Sequence, residues 1–355
     1  MECDLQDQAL AYGKGENRFS ENKRAVQEKY MGPLIKTTMT RCIQCTRCIR
    51  FAQEIAGTPE LGAVNRGEHM EVTSYVNASL SSELSGNLVD ICPVGALTSK
   101  PYEFRARSWE LRHTESIDVF DAVGSNIRID HRGLSVMRIL PKINEEINEE
   151  WLADKSRYAY DGYKNQRFDV PYVKKAGNLT EASWSEALKA IVERLKNTKP
   201  EKIAVIAGQM TDCESMFMLK NLMEKIGCNN LEANQQGDYF DVAVRGNYLF
   251  NTSIAGIEEA DLCLLVGANP RHSAPILNAR IRKAFVQNDM EIARIGEADD
   301  QTYPITELGI KPDILEKIYS GKHEFTKKLK LAKKQIIIIG DAAYSSAEAE
   351  AIYDL

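Results

Sequence analysis

No stretch of this sequence is apolar for long enough to cross a membrane. The longest unbroken run of isoleucine, leucine and valine is Ile336 to Ile339, where a span needs roughly 20 residues. Residues 1–20 are polar and charged and lack the apolar core of a secretory signal, so any membrane association is expected to come through partners. Basic runs with interleaved aromatics are missing too, and the net charge is −6 at pH 7, which argues against nucleic acid as a partner. Neither G-x-G-x-x-G nor a P-loop occurs. Gly13 and Gly15 begin such a spacing, but Arg18 stands where the third glycine belongs. The five histidines are scattered, without an H-x-x-x-H or Cys/His pairing, and eight cysteines in 355 residues are too few for a secreted disulfide scaffold.

What is present is a concentration of thiols. Arg41-Cys42-Ile43-Gln44-Cys45-Thr46-Arg47-Cys48 places three cysteines at C-x2-C-x2-C spacing, and Cys92-Pro93 supplies a fourth from far along the chain. Four thiolates with a Cys-Pro at the last position are the ligand set of a [4Fe-4S] cluster. Zinc also accepts four thiolates, although structural zinc sites usually use two separated pairs; a zinc-stabilised interaction module without redox chemistry is therefore the competing reading, and a disulfide framework a third. Arg41, Arg47 and Arg50 flank the thiols, either offsetting cluster charge or standing as ordinary solvated arginines.

A length of 355 residues with 43% hydrophobic content suits two or three domains with real cores. Residues 13–30 read as a polar surface connection. Ile49, Ala52 and Ile55 predict a helix after Cys48 that ends at Gly57, and Leu80, Leu84 and Leu88 predict a second that reaches Cys92, with the cluster between the two. Asn126–Asp130 and Ser135–Ile139 alternate around His131-Arg132-Gly133 and predict a β-hairpin, within a β-rich segment closed by a polar turn at Lys155, Arg157 and Tyr158. From Ser183 the pattern is α/β. Capping boxes at Ser183–Glu186 and Thr211–Glu214 open two helices, the first burying Trp184, Leu188, Ile191 and Leu195. Strands at Ile203–Ala207, Leu262–Val266, Ile292–Ile295 and Ile336–Ile339 predict a parallel sheet covered on both faces. Gly208 and Gly267-Ala268-Asn269-Pro270 mark where its ligand crevice would lie. Cys213, Cys228 and Cys263 read as buried small hydrophobes.

The runs Thr37–Phe51 and Leu84-Ser85-Gly86-Asn87 to Cys92-Pro93-Val94-Gly95-Ala96-Leu97-Thr98-Ser99-Lys100 closely resemble the large iron-sulfur subunit family of respiratory complex I, NADH:ubiquinone oxidoreductase. The resemblance continues through Thr114–Val119, Asp121–Ile127, Asn148–Trp151 and Tyr158–Gly162 and covers most of residues 3–165, in the form of the mitochondrial and alphaproteobacterial branch. Leu265–Arg271 resembles, less specifically, the molybdopterin-oxidoreductase-like part of the same subunit.

This resemblance implies a ferredoxin-like [4Fe-4S] domain over residues 1–100 and a β-rich segment over 101–165. A doubly wound parallel α/β domain of molybdopterin-oxidoreductase type follows over 166–355. It implies that Cys42, Cys45, Cys48 and Cys92 hold one [4Fe-4S] cluster that passes electrons from NADH toward quinone, with no bond chemistry in this chain. The implied setting is the peripheral arm, beside the NADH/FMN-binding subunit and neighbouring iron-sulfur subunits, on the matrix side of the mitochondrial inner membrane or the cytoplasmic side of a bacterial one. Cys3 resembles the last ligand of a second [4Fe-4S] motif whose one His and two Cys would precede Met1. That second cluster and a [2Fe-2S] domain are expected only in a longer chain, of which this sequence reads as an incomplete copy. Some bacterial relatives carry another cluster at C-x2-C-x3-C-x27-C, positions that fall here on Asp118, Asp121, Ser125 and Ala153; no cluster is expected there, and no molybdopterin. A molybdopterin-dependent catalytic subunit such as formate dehydrogenase is the alternative.

Overall fold

The computed structural model describes residues 2–74, 78–233, 239 and 242–355. Its elements run α1 (Asp4–Tyr12), β1 (Ile35–Thr37), α2 (Arg47–Arg50), β2 (Leu61–Val64), β3 (Glu71–Ser74), α3 (Asn87–Ile91) and β4 (Leu97–Ser99), then β5 (Arg112–Ile117), β6 (Asn126–Arg132), β7 (Ser135–Pro141) and α4 (Asp154–Tyr158). There follow β8 (Tyr172–Lys175), β9 (Asn178–Glu181), α5 (Trp184–Lys196), β10 (Val205–Ile206), α6 (Cys213–Ile226) and β11 (Leu231–Glu232). The last stretch holds β12 (Leu262–Val266), α7 (Pro270–Ser273), α8 (Pro275–Asn288), β13 (Glu291–Ile295), β14 (Thr306–Gly309), α9 (Asp313–Tyr319), α10 (Phe325–Leu331) and β15 (Gln335–Ile339).

Two compact units result. One takes residues 1–160, 241–343 and 351–355; the other takes 161–240 and 344–350. The first unit is organised around two layers of contact. β12, β13, β14 and β15 form a parallel sheet in the order β14-β13-β12-β15. Strand β12 is apolar throughout because both its faces are covered: Leu262, Leu264 and Val266 pack with Ile314 and Phe325 of α9 and α10, while Cys263 and Leu265 pack with Ile281 of α8. Ile276, at the start of α8, joins the core of the cysteine segment, where it meets Met39, Phe51, Leu84 and Leu88. The hairpin β6–β7 forms as its alternation predicts, and β5 completes a three-stranded antiparallel sheet with it.

Several expectations are corrected. The run 80–91 is helical only from Asn87; Leu84 and Leu88 are buried, but Leu80 precedes the helix in open chain, because the Ser85 hydroxyl and the Gly86 N–H are held by Asp154 from outside. Lys155, Arg157 and Tyr158 lie on helix α4, not in a polar turn, and Arg157 is 4% exposed. The second helical start is capped by Asp212, whose carboxylate accepts from the Ser215 N–H at 2.8 Å, in place of the expected Thr211 box. With the cap one residue later, Cys213 begins α6 in the open and is exposed, while Cys228 and Cys263 are buried as expected.

In the second unit the Ser183 capping box is formed, but α5 buries none of its residues, and Trp184 is 70% exposed. Helical periodicity fixes which residues share a face; burial needs a surface to pack on, and the unit's own strands pair only as β8–β9 and β10–β11 among the described residues.

Candidate functional site

The antiparallel pairing of β1 with β4, Ile35 opposite Ser99 and Thr37 opposite Leu97, brings the cysteine triple beside the turn that carries Cys92. A bond from the Thr38 N–H to the Ala96 carbonyl at 2.8 Å extends this contact, and Met39–Arg41 then make a single 3-10 turn capped by the Cys42 N–H. Between the cysteines the chain passes through left-handed backbone at Gln44 (φ 52°) and Thr46 (φ 60°). Non-glycine residues adopt this region at a cost and usually where the surroundings demand it. Here it curls the loop so that the Gln44 N–H donates to the Cys42 sulfur at 3.4 Å. Cys48 rides on α2, which continues as a π-helical turn over Phe51–Ala56 and stops at Gly57 in left-handed backbone (φ 71°). The helix end predicted at Gly57 therefore stands, with a wider turn inside it.

Cys42, Cys45, Cys48 and Cys92 line one cavity, whose other walls are largely apolar, Met39, Val72, Val94 and Leu97 among them. Burial, together with the neighbouring Cys92 and Cys42 groups, pushes the Cys48 thiol up to about 12. Burial raises the Cys42 thiol too, partly offset by the Gln44 N–H. Left alone, such a pocket disfavours thiolates; a bound metal reverses this, since it deprotonates the thiols that coordinate it. Among the described residues no three His, Cys, Asp or Glu side chains converge as a single-ion site. Four thiols lining one cavity suit a cluster in which each iron takes one thiolate, and four thiolates are also a ligand set for zinc.

Arg47 and Arg50 are exposed and Arg41 half-buried. The arginine whose charge acts on Cys42 is Arg24, held by the Met70 carbonyl at 2.9 Å and by Glu71 at 3.6 Å. Nothing in its sequence neighbourhood signals that role.

Cys3 does not line this cavity. It is buried, and as the N-cap of α1 its sulfur accepts from the Gln6 N–H at 3.3 Å. It packs against Gly95 (φ 59°), where a Cβ would lie 2.9 Å from the Cys3 Cβ and 2.5 Å from the Glu2 carbonyl oxygen. The Cys3 turn thus leans directly on the Cys92-Pro93-Val94-Gly95 turn, with the Leu5 N–H donating to the Pro93 carbonyl at 3.2 Å.

Asp118, Asp121, Ser125 and Ala153 are all buried. The Asp118 carboxylate accepts from the Phe120 and Asp121 N–H groups and from the Ser156 hydroxyl at 2.5 Å, and the Asp118 N–H donates to the Ser125 carbonyl. Burial pushes the Asp121 carboxyl up to about 6, with the Asp118 charge adding to the effect and the Val123 and Ile276 N–H groups opposing it. Ser156 stands on α4, for which Ala153 is the N-cap, so the loop and the helix that carry these positions do meet.

At the carboxyl ends of β12 and β15, where the strand order reverses, the loops are in backbone contact. A Cβ on Gly340 would lie 2.4 Å from the Ala268 Cα, and one on Gly267 (φ 56°) 2.7 Å from the Ala343 nitrogen.

Comparison with known proteins follows the same division. Residues 32–98 match the NADH-quinone oxidoreductase subunit 3 ferredoxin-like domain. Residues 111–161 match the NADH-ubiquinone oxidoreductase NDSU1/NuoG-like 4Fe-4S domain, and residues 167–355 match the molybdopterin oxidoreductase family. Over its whole length the chain is 63% identical to an NADH-quinone oxidoreductase subunit of Rickettsia felis, covering 53% of that protein. It is 51% identical to the mitochondrial NADH-ubiquinone oxidoreductase 78 kDa subunit of Neurospora crassa over 99% of the chain and 48% of the relative. With the mitochondrial NADH dehydrogenase [ubiquinone] iron-sulfur protein 1 of Solanum tuberosum it shares 49% over 99% of the chain and 48% of the relative. The chain thus spans about half the length of the curated relatives it matches. It belongs to the molybdopterin oxidoreductase family, and the segments ahead of that match are similar to ferredoxin-like and 4Fe-4S domains of NADH-quinone oxidoreductase subunits; its α/β region holds a parallel sheet.

Proposed function

We propose that this chain is an electron-transfer part of an NADH-quinone oxidoreductase, and that Cys42, Cys45, Cys48 and Cys92 hold its one complete [4Fe-4S] cluster. The observation that carries the reading is the meeting of four thiols from two distant segments around one largely apolar cavity. When bound, such a cluster supplies one-electron transfer, and the protein sets its position, potential and solvent access. The chain's own contribution is to hold four sulfurs on backbone that β1, β4, α2 and α3 fix, and to line the space with Met39, Val72, Val94 and Leu97, which keeps water away.

Cys3 would serve a second [4Fe-4S] cluster only with ligands from a longer chain, and a [2Fe-2S] cluster likewise belongs to a longer chain. The α/β region carries no molybdopterin in this reading; the main-chain packing at Gly267 and Gly340 supports that. The domains are read as 1–100, 101–165 and 166–355. Partners are the other peripheral-arm subunits, among them the NADH/FMN-binding subunit, and the site of action is the matrix side of a mitochondrial inner membrane or the cytoplasmic side of a bacterial one. The test is low-temperature electron paramagnetic resonance of the anaerobically reconstituted chain before and after reduction. A reduced [4Fe-4S] signal that disappears in Cys45→Ala supports the assignment; a silent, colourless protein with stoichiometric zinc overturns it.

A further inference from the structure

The helix that delivers Cys92 is held from outside its own segment. α3 has five residues, far below the length at which a helix is stable alone, so its orientation depends on what grips it. Arg157 of α4 grips it most closely. Its guanidinium donates to both Asp90 oxygens, at 2.6 and 3.2 Å, and to the Asn87 side-chain oxygen at 3.1 Å. Asp154, one turn earlier, accepts from the Ser85 hydroxyl at 2.5 Å and the Gly86 N–H at 2.6 Å. The Leu152 N–H donates to Asn87 at 3.0 Å. The fit leaves no room at Gly86, where a Cβ would lie 2.7 Å from the Arg157 Cδ.

Cys92 has a second exposure besides the thiol cavity. With Asp90, Glu2, Arg128 and Arg138 it lines a separate charged cavity of about 280 Å³. The Asp90 carboxylate therefore stands two residues along the chain from a candidate ligand and lines the same cavity, and the Arg157 guanidinium is bonded to that carboxylate.

We propose that the pair of buried Arg157 with Asp90 positions the Cys92 thiolate and sets the balance of charge beside it, and through both sets the reduction potential of the site. The inference rests on the reading of Cys42, Cys45, Cys48 and Cys92 as cluster ligands. Reduction adds one electron and one negative charge, with no bond made or broken. An unbalanced carboxylate next to a ligand opposes that charge, and an unbalanced guanidinium favours it. Because the two now neutralise each other, removing either one is expected to move the potential, in opposite directions.

The experiment is a potentiometric titration of the reconstituted full chain carrying Arg157→Met, Asp90→Asn, both together, or Arg157→Lys. Arg157→Met is expected to lower the potential and Asp90→Asn to raise it, each by about a tenfold change in the ratio of reduced to oxidised cluster at fixed potential, about 59 mV for one electron. The double variant should return near the wild-type value, and Arg157→Lys should lie between wild type and Arg157→Met. If Arg157→Met fails to fold, the nearly isosteric Asp90→Asn still reads the upward shift. Single variants that leave the potential unmoved, or move it the same way, in a protein whose wild type holds the cluster overturn this inference alone. A wild type that takes up no [4Fe-4S] cluster overturns the ligand assignment with it.

Discussion

Two loops of the first compact unit belong to segments matched by iron-sulfur domain families, and they differ in the donors they present. The loop Cys42–Cys48, with Cys92, offers soft thiols around a space with largely apolar walls. The loop Asp118–Ser125, in the 4Fe-4S-matched segment 111–161, contains no cysteine and offers carboxylates and hydroxyls. Both keep the architecture of a tight loop answered by a distant helix, α3 for the first and α4 for the second. What fills the centre differs: in the second, Asp118 bonds to Ser156 and to backbone N–H groups, a network that ties loop to helix. Backbone geometry is set by packing and hydrogen bonds, whereas metal choice is set by donor softness.

The largest expected effect sharpens this contrast. Cys48→Ala or Cys92→Ala should abolish cluster uptake, read as iron and labile sulfide per chain, while Asp121→Asn and Cys263→Ala should leave it unchanged. Iron lost in Asp121→Asn would mean that the oxygen loop is part of the metal site after all.

Next in size are the glycines that let the thiol side close. Gly95→Ala places a Cβ 2.5 Å from the Glu2 carbonyl oxygen at a residue with φ 59°, and Gly86→Ala meets Arg157. Each should cost about 1–3 kcal/mol in denaturant unfolding, the former more because main chain yields less than a side chain.

A comparable effect should mark the oxygen side through pH. Burial pushes Asp121 and Asp154 up from 3.8 to about 6. Between those values the native state holds protons that the unfolded chain has released, so the stability from these groups is fully present below about pH 4 and is lost as pH rises through about 6. Unfolding followed from pH 4 to 6 should show Asp121→Asn gaining on wild type, by on the order of 1–3 kcal/mol across the window. A constant difference would mean that Asp121 is ionised throughout.

The smallest effect lies outside both loops. Leu188→Gln on the exposed face of α5 should change the melting behaviour by less than about 0.5 kcal/mol, since that side chain is 54% exposed. A larger loss would show that this face is covered.

Much of the site was legible in the residues. The cysteine spacing pointed to the four thiols that line one cavity, Gly57 to the end of the helix after Cys48, and the alternation at Asn126–Ile139 to the hairpin; the apolar run Leu262–Val266 marked a strand covered on both faces. These are local signals, in which periodicity, turn chemistry and donor type each speak through neighbouring residues. Other features were not legible because they join residues far apart. Arg157 reads as one more polar residue in a turn, yet it is buried against Asp90. Leu80, Leu84 and Leu88 promise a helix longer than the one that forms, because Asp154 takes the Ser85 hydroxyl and the Gly86 N–H. Trp184, Leu188, Ile191 and Leu195 promise a buried stripe, yet α5 buries none of its residues among those described. What the sequence by itself determined was which groups share an element and which metal chemistry they suit. Only the tertiary structure decided which side chains are buried, which charges meet and which thiols line one cavity, since burial and Coulomb interaction depend on distance in space and not along the chain.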